Sequence, residues 1–133
     1  MNPIKPFNIA TSLMPWGTET LVAWGPGYIG KVLRYSAGKA GGLQSHRQKD
    51  ETFYLHEGEA WVDYDPGDGT LARVRMAAGM SFHIQPSTPH RFTAITDCVV
   101  FEASTPHFDD RVRLEAEYGE PDTGGLPTTE PTA

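Results

Sequence analysis

Residues 38–58 read GKAGGLQSHRQKDETFYLHEG, and residues 79–90 read GMSFHIQPSTPH. In both segments, glycines flank short runs in which apolar and polar residues alternate. That alternation is typical of β-strands with one face turned inward, and glycine and the Pro-Ser-Thr-Pro sequence are typical of turns. Each segment therefore predicts a strand–turn–strand unit, and two such units can close a small β-barrel.

Four polar side chains in these segments form a candidate metal site. Gln44 and His46 are two residues apart, so on a strand both side chains face the same way. Glu51 follows after a turn-length interval, and His90 follows the turn of the second segment. Such nitrogen and oxygen ligands suit Zn, Mn, Fe, Co or Ni. The sequence therefore predicts a divalent metal ion, its identity left open, held by Gln44, His46, Glu51 and His90.

The wider strand pattern predicts an all-β fold. Turn residues separate eight short strands, expected at residues 29–35, 43–46, 52–56, 60–64, 71–76, 80–84, 90–96 and 99–104. No helical crossover separates them, which favours antiparallel pairing, and the length favours a jelly roll. A single helix is predicted at residues 109–118, with acidic residues at its start and Gly119 after its end.

Composition limits the domain count and the classes of partner. A chain of 133 residues with 38% hydrophobic residues fits one domain, expected at residues 1–119 with an N-terminal extension. Residues 120–133 are rich in Pro, Gly and Thr and are expected to form a flexible tail. A net charge of −6 argues against nucleic-acid and anionic-membrane partners. No long apolar stretch or secretory-type leader is evident, so we expect a cytoplasmic protein.

The two segments resemble the paired motifs of the cupins, which usually read G-x5-H-x-H-x3-4-E-x6-G and G-x5-P-x-G-x2-H-x3-N. The first motif is matched at Gly38, His46, Glu51 and Gly58, with Gln44 where the first histidine usually stands. The second is matched at Gly79 and His90, and it departs at Gln85, Ser87 and Ala94. The resemblance implies a cupin-type double-stranded jelly-roll β-barrel with a short C-terminal helix.

A narrower resemblance links the chain to mannose-6-phosphate isomerase-like cupins. It is carried by PWGTE at 15–19, GKVL at 30–33, LQSH at 43–46, KDET at 49–52 and STP at 104–106. In phosphomannose isomerases a Gln-x-His pair also supplies metal ligands, which is consistent with Gln44 as a ligand. Small cupins often form dimers, so the resemblance also implies a homodimer.

Three functions are compatible with these residues. The first is an aldose–ketose isomerase acting on a sugar or sugar phosphate, in which the metal polarises a carbonyl group. Lys49 and Arg91 are its candidate catalytic residues, because Lys49 lies near Glu51 in sequence and Arg91 could meet a phosphate. The second is a non-haem Fe(II) dioxygenase that uses His46, Glu51 and His90. The third is a non-catalytic module that binds metal or carbohydrate.

Overall fold

The computed structural model describes residues 7–123 and 129–130. These residues form eleven strands and one short 3-10 helix. The strands are β1 (Ala10–Met14), β2 (Gly17–Gly25), β3 (Tyr28–Tyr35), β4 (Gln44–His46), β5 (Glu51–Glu57), β6 (Glu59–Tyr64), β7 (Ala72–Ala77), β8 (Ser81–Ile84), β9 (His90–Ala94), β10 (Cys98–Ser104) and β11 (Arg111–Arg113). The 3-10 helix is Ala116–Tyr118.

The strands pair into two antiparallel sheets. One sheet has the order β1-β2-β3-β10-β5-β8, and the other has the order β11-β4-β9-β6-β7. Strands that are consecutive in sequence often lie in different sheets, as β4 and β5 do. Such repeated crossing between two antiparallel sheets defines a jelly roll. The all-β jelly-roll prediction is therefore confirmed.

All eight predicted strands are present as β3 to β10, with ends displaced by no more than two residues. The expected N-terminal extension contains two further strands, because β1 and β2 form a hairpin that joins the sheet through β3. The inward and outward faces also follow the predicted alternation along β5. Glu51, Phe53 and Leu55 are buried there, whereas Tyr54 and His56 are exposed.

The prediction of a helix at residues 109–118 is wrong. Arg111–Arg113 forms β11 and pairs with β4, and only Ala116–Tyr118 is helical, as one 3-10 turn. β4 would otherwise lie at the open edge of its sheet, where unpaired backbone groups favour strand addition over a weak helical preference. Gly119 does end the short helix, at a φ of 67° in the left-handed region.

The predicted flexible tail falls largely outside the described residues, which omit 124–128 and 131–133. Within the described part, Thr129 is buried and its backbone N–H donates a hydrogen bond of 2.7 Å to Glu19 Oε1. Residue 129 therefore contacts the barrel at β2.

Apolar side chains from both sheets form the core between them. Trp16 and Tyr35 stack with ring centroids 4.0 Å apart, and Phe92 from the other sheet packs against Tyr35. The core cluster also contains Leu33, Phe53, Leu55, Ala60, Val62, Met76, Ile84, Ala94, Cys98 and Val100. Charged residues are also buried inside the barrel, and they form the candidate site.

The motif residue Gly58 occupies a turn whose backbone conformation requires glycine. Its φ of 100° lies in a region that L side chains rarely adopt, and a Cβ there would meet the Asp97 carbonyl oxygen at 2.3 Å. The tight connection between β5 and β6, which crosses from one sheet to the other, therefore requires glycine. Among the described residues, no helix has the length and apolar character needed to cross a membrane.

Candidate metal centre

Three predicted ligands come together at the ends of three strands. His46 ends β4, Glu51 begins β5 and His90 begins β9. Each offers one potential ligand atom, and these atoms lie within 4.8 Å of one another. Glu51 Oε1 is 3.0 Å from His90 Nε2 and 3.7 Å from His46 Nε2. The sequence-predicted trio is thus a buried cluster with its donor atoms converging.

Hydrogen bonds on the far side of each imidazole determine which ring nitrogen faces this cluster. His90 Nδ1 lies 2.8 Å from the carbonyl oxygen of Thr88, and His46 Nδ1 lies 3.2 Å from Asp110 Oδ1. Both partners are acceptors, so in each neutral ring Nδ1 carries the proton and donates. The Nε2 lone pairs therefore face Glu51. A histidine oriented by a carboxylate or carbonyl in this way is the usual arrangement around protein-bound metals.

The cluster contains buried acceptor atoms that a bound cation would satisfy. Within the described part of the chain, Glu51 Oε1 and His90 Nε2 are buried atoms with no hydrogen-bond partner. Glu51 Oε1 and His90 Nε2 lie 3.0 Å apart, and both are acceptors when the imidazole is neutral. A buried acceptor left unpaired costs about 1–3 kcal/mol. A divalent cation would accept electron pairs from both atoms and from His46, so these residues fit a metal ion.

The protonation states also suit a metal. Burial lowers the pKa of His46 to about 4, although the Glu51 carboxylate opposes this shift. Burial likewise disfavours the ionised form of Glu51, but the Lys49 ammonium and His90 outweigh it and hold the pKa of Glu51 well below its usual range. At neutral pH His46 is therefore neutral and Glu51 is ionised, the states in which they bind a divalent cation.

Lys49 connects the cluster to a second carboxyl group. Its Nζ lies 3.1 Å from Glu51 Oε2 and 3.1 Å from Glu102 Oε2, and all three residues are buried. Burial opposes the charge on Lys49, but Glu102 and Glu51 outweigh it and raise the Lys49 pKa. Lys49 is therefore protonated at neutral pH, the state in which it pairs with both carboxylates. Burial raises the pKa of Glu102, against the effect of Lys49.

A cavity of about 510 Å³ opens beside these groups. Its polar wall includes Gln44, His46, Lys49, His90 and Glu102, and its apolar wall includes Trp16, Tyr35, Phe53 and Phe92. Gln44 is the register partner of His90 between β4 and β9. The structure therefore brings Gln44 to the same cavity as the two histidines.

Arg91 is not brought to this site. It follows His90 on β9, its Nη2 donates a 3.0 Å hydrogen bond to the Pro121 carbonyl oxygen, and its Nη1 lies 3.4 Å from Glu120 Oε2. The side chain does not line the cavity. Alternation along β9 explains this, because adjacent residues face opposite ways. The structure thus places Arg91 against the C-terminal segment, outside the lining of the cavity.

Two residues of the site are not among those that the sequence predicts. Glu102 shares the inward face of β10 with Val100 and Ser104, so a charged residue at an inward position was a usable signal. The sequence pattern predicts Asp110 at the start of a helix. Instead it accepts hydrogen bonds from the backbone N–H groups of Gln48 and Lys49 and orients His46. No local pattern predicts that contact, because it joins segments about sixty residues apart.

The fold and the converging donors define a small β-barrel protein with a candidate metal centre. The family model described as the cupin domain matches residues 31–104, which is more than half of the chain. The chain therefore belongs to the cupin family. No curated protein sequence matches it significantly.

Solved structures with the same fold are only distantly similar in sequence. KdgF from Halomonas sp. is 21% identical with a TM-score of 0.61, over 69% of this chain and 80% of that one. The capsular polysaccharide assembling protein CapF from Staphylococcus aureus is 17% identical with a TM-score of 0.72, over 81% of this chain and 32% of that one. Oxalate decarboxylase from Bacillus subtilis is 15% identical with a TM-score of 0.72, over 86% and 33%. The chain thus spans about a third of the latter two proteins, and these likenesses show the shared fold.

Proposed function

We propose that this cupin is a metal-dependent enzyme that isomerises a sugar or sugar phosphate by moving a proton between adjacent carbons. The observation that carries the proposal is Glu102, a buried carboxyl group in the wall of the cavity that Gln44, His46 and His90 also line. Gln44, His46, Glu51 and His90 are the proposed metal ligands. A divalent cation held by them supplies Lewis acidity, which polarises a substrate carbonyl group.

Glu102 supplies the proton-transfer group that the sequence alone did not reveal. Its raised pKa makes the ionised carboxylate a stronger base than an exposed glutamate. From an aldose, the proton on C2 passes to Glu102, the C–H electron pair forms a C1=C2 double bond, and O1 gains a proton. The O2 proton then leaves as C2=O forms, and Glu102 returns its proton to C1. O1 takes its proton from solvent water, and the proton that leaves O2 returns to solvent water, so the protons balance.

The positive charge of Lys49 stabilises the ionised form of Glu102 in the proposed proton transfer. Its ammonium group lies 3.1 Å from both Glu102 Oε2 and Glu51 Oε2, so it stabilises the Glu102 carboxylate before the first proton transfer and after the second. In this proposal Lys49 is a positioning residue that holds charge, and Glu102 touches the substrate. Similarity to a capsular polysaccharide assembling protein adds support for a sugar-related ligand.

Deuterium exchange tests the proposal. In D₂O, the metal-loaded protein should incorporate deuterium at C1 or C2 of one member of a panel of aldose and ketose phosphates, followed by NMR. Glu102→Gln should lower the exchange rate by at least about 100-fold because it removes the acid–base group. His46→Ala should abolish exchange, whereas Glu57→Gln, at an exposed glutamate, should leave it unchanged. Exchange that persists in Glu102→Gln would remove Glu102 from the mechanism.

The geometry also favours a second candidate function. His46, Glu51 and His90 form a two-histidine, one-carboxylate cluster, which is the ligand set of non-haem Fe(II) oxygenases. Oxygen uptake by the Fe(II)-loaded protein with phenolic, thiol and keto-acid compounds distinguishes the two reactions. Uptake without deuterium exchange supports the oxygenase. Neither reaction, with metal still bound, supports a non-catalytic binding module.

We also propose that the chain forms a homodimer. Support comes from large apolar side chains exposed on the sheet that contains β5 and β10, where Tyr54 and Phe101 are register partners and are 38% and 40% exposed. Exposed apolar side chains grouped on a strand surface favour contact with another chain. Sedimentation should give a dimer for the unaltered protein and a monomer for Phe101→Glu. A dimer that persists in the variant would exclude this face.

A further inference from the structure

Arg111 lies beside the proposed metal ligand His46 but belongs to no ion pair among the described residues. It is the register partner of His46 between β11 and β4, it is half-buried, and it lines the cavity. Within residues 7–123 and 129–130, no hydrogen bond or ion pair holds its guanidinium group. Its electrostatic environment includes Arg113, Glu19 and Glu115.

The two carboxylates that act electrostatically on Arg111, Glu19 and Glu115, already have partners of their own. Glu19 Oε1 accepts hydrogen bonds from Lys31 Nζ at 3.0 Å and from the Thr129 backbone N–H at 2.7 Å. Glu115 Oε2 accepts hydrogen bonds from Arg113 Nη2 at 3.0 Å and from the Leu43 backbone N–H at 3.2 Å. Among the described residues, these contacts leave Arg111 without a bonded counter-ion at the cavity wall.

Arg113, two residues away on the same strand, shows what a structural arginine looks like here. Its Nη2 is 3.0 Å from Glu115 Oε2 and 2.7 Å from Asp122 Oδ1. Arg111 has no such ion pair among the described residues, and burial together with the charge of Arg113 lowers the pKa of Arg111. A cation that is partly desolvated and repelled by a neighbour gains stability from a bound anion. The guanidinium fork suits an oxyanion, because it can donate two parallel hydrogen bonds.

We propose that the substrate of this site is an anion, and that Arg111 binds its carboxylate or phosphate group at the wall of the metal cavity. This inference rests on the proposed function and names the class of molecule that enters the site. A cavity of about 510 Å³ accommodates a six-carbon sugar derivative. The anionic group would contact Arg111 on β11 as neighbouring oxygens of the same molecule approach His46 and Glu102.

The test compares three matched ligands, glucose, glucuronate and glucose 6-phosphate, by calorimetry on Co(II)-loaded protein at constant ionic strength. We expect glucuronate or glucose 6-phosphate to bind at least about tenfold more tightly than glucose. The preferred one identifies the oxyanion. In Arg111→Gln this preference should fall below about threefold, and Arg111→Lys should restore part of it. Arg75→Gln, which removes an exposed arginine paired with Glu59, is the matched control and should keep the full preference.

A second readout separates recognition from a structural role. Without ligand, Arg111→Gln should melt at the same temperature as the unaltered protein or higher, because it removes a partly desolvated charge next to Arg113. Equal binding of all three ligands, no binding of any, or an anion preference that survives Arg111→Gln would overturn the inference. Loss of the preference in Arg111→Gln without deuterium exchange in any substrate would uphold the anion site and overturn the proposed isomerase.

Discussion

Two groups of buried charge inside the barrel are built in opposite ways. Lys31 is fully buried, and its ammonium group lies 3.0 Å from Glu19, whose carboxylate also accepts a hydrogen bond from Thr129. In the other group, Glu51 and His90 present converging acceptor atoms that no hydrogen bond satisfies among the described residues. The first group is complete as a structural ion pair. The second leaves acceptor atoms that a cation would satisfy, and this is the difference we expect between a stabilising ion pair and a metal site.

Breaking the complete pair should have the largest effect on stability. Lys31→Met leaves the buried Glu19 carboxylate without its ammonium partner, which should lower the free energy of unfolding by about 3–5 kcal/mol. Metal affinity should change less than about threefold, because Lys31 is not a proposed ligand. Urea unfolding and metal titration measure the two quantities. A large loss of metal affinity without a loss of stability would reverse the roles assigned to the two groups.

Acid should lower the stability of the metal-free protein through protonation of His46. His46 has a pKa of about 4 in the folded protein, below its ordinary 6.5, so the unfolded chain binds more protons between these values. The free energy of unfolding of the metal-free protein should therefore fall as pH drops from 6.5 to 4, by up to about 3 kcal/mol from this residue. His46→Gln should flatten this part of the pH profile. An equally steep profile in the variant would show that His46 is not the titrating group.

Loosening the orientation of His46 should weaken metal binding without removing it. Asp110→Asn replaces the charged acceptor of the His46 Nδ1 hydrogen bond, and loss of such an outer contact lowers metal affinity by about 10–100-fold. Asp109→Asn, at the exposed neighbouring aspartate, is the control and should change affinity less than about threefold. Competition with a chelating dye gives both values. Equal effects of the two variants would assign Asp110 a general electrostatic role.

The smallest effect is expected at the surface. His83 pairs with Asp50 at 2.6 Å, but both side chains are about half exposed, and exposed pairs contribute little because water screens them. His83→Ala should change the free energy of unfolding by less than about 0.5 kcal/mol and leave metal affinity unchanged. Loss of bound metal in this variant would indicate a ligand set that extends to the outer face of β8.

The residues that could be predicted from sequence share a local signal. β3 to β10 were predictable because side-chain alternation and turn residues recur along the chain, and His46, Glu51 and His90 lie at fixed distances within those units. Glu102 was within reach of the same reasoning, since it occupies an inward position of β10.

The rest depends on contacts between distant segments. β11 replaced the predicted helix because β4 offered an open edge, and that edge is invisible in residues 109–118. Arg91 and Arg111 are both arginines on strands, yet only Arg111 lines the cavity. Their roles are decided by packing and by the partners that the fold supplies, which a single sequence does not display.

The most direct test of the metal centre is the metal content of the protein purified without chelator, measured by mass spectrometry and followed by metal titration. We expect about one divalent ion per chain in the unaltered protein, the number that a single converging ligand set can hold. We expect a loss of affinity greater than about 100-fold in Glu51→Ala, which removes the ligand oxygens next to both histidines. An unaltered protein that binds no ion, or a Glu51→Ala variant that binds it equally well, would contradict the account.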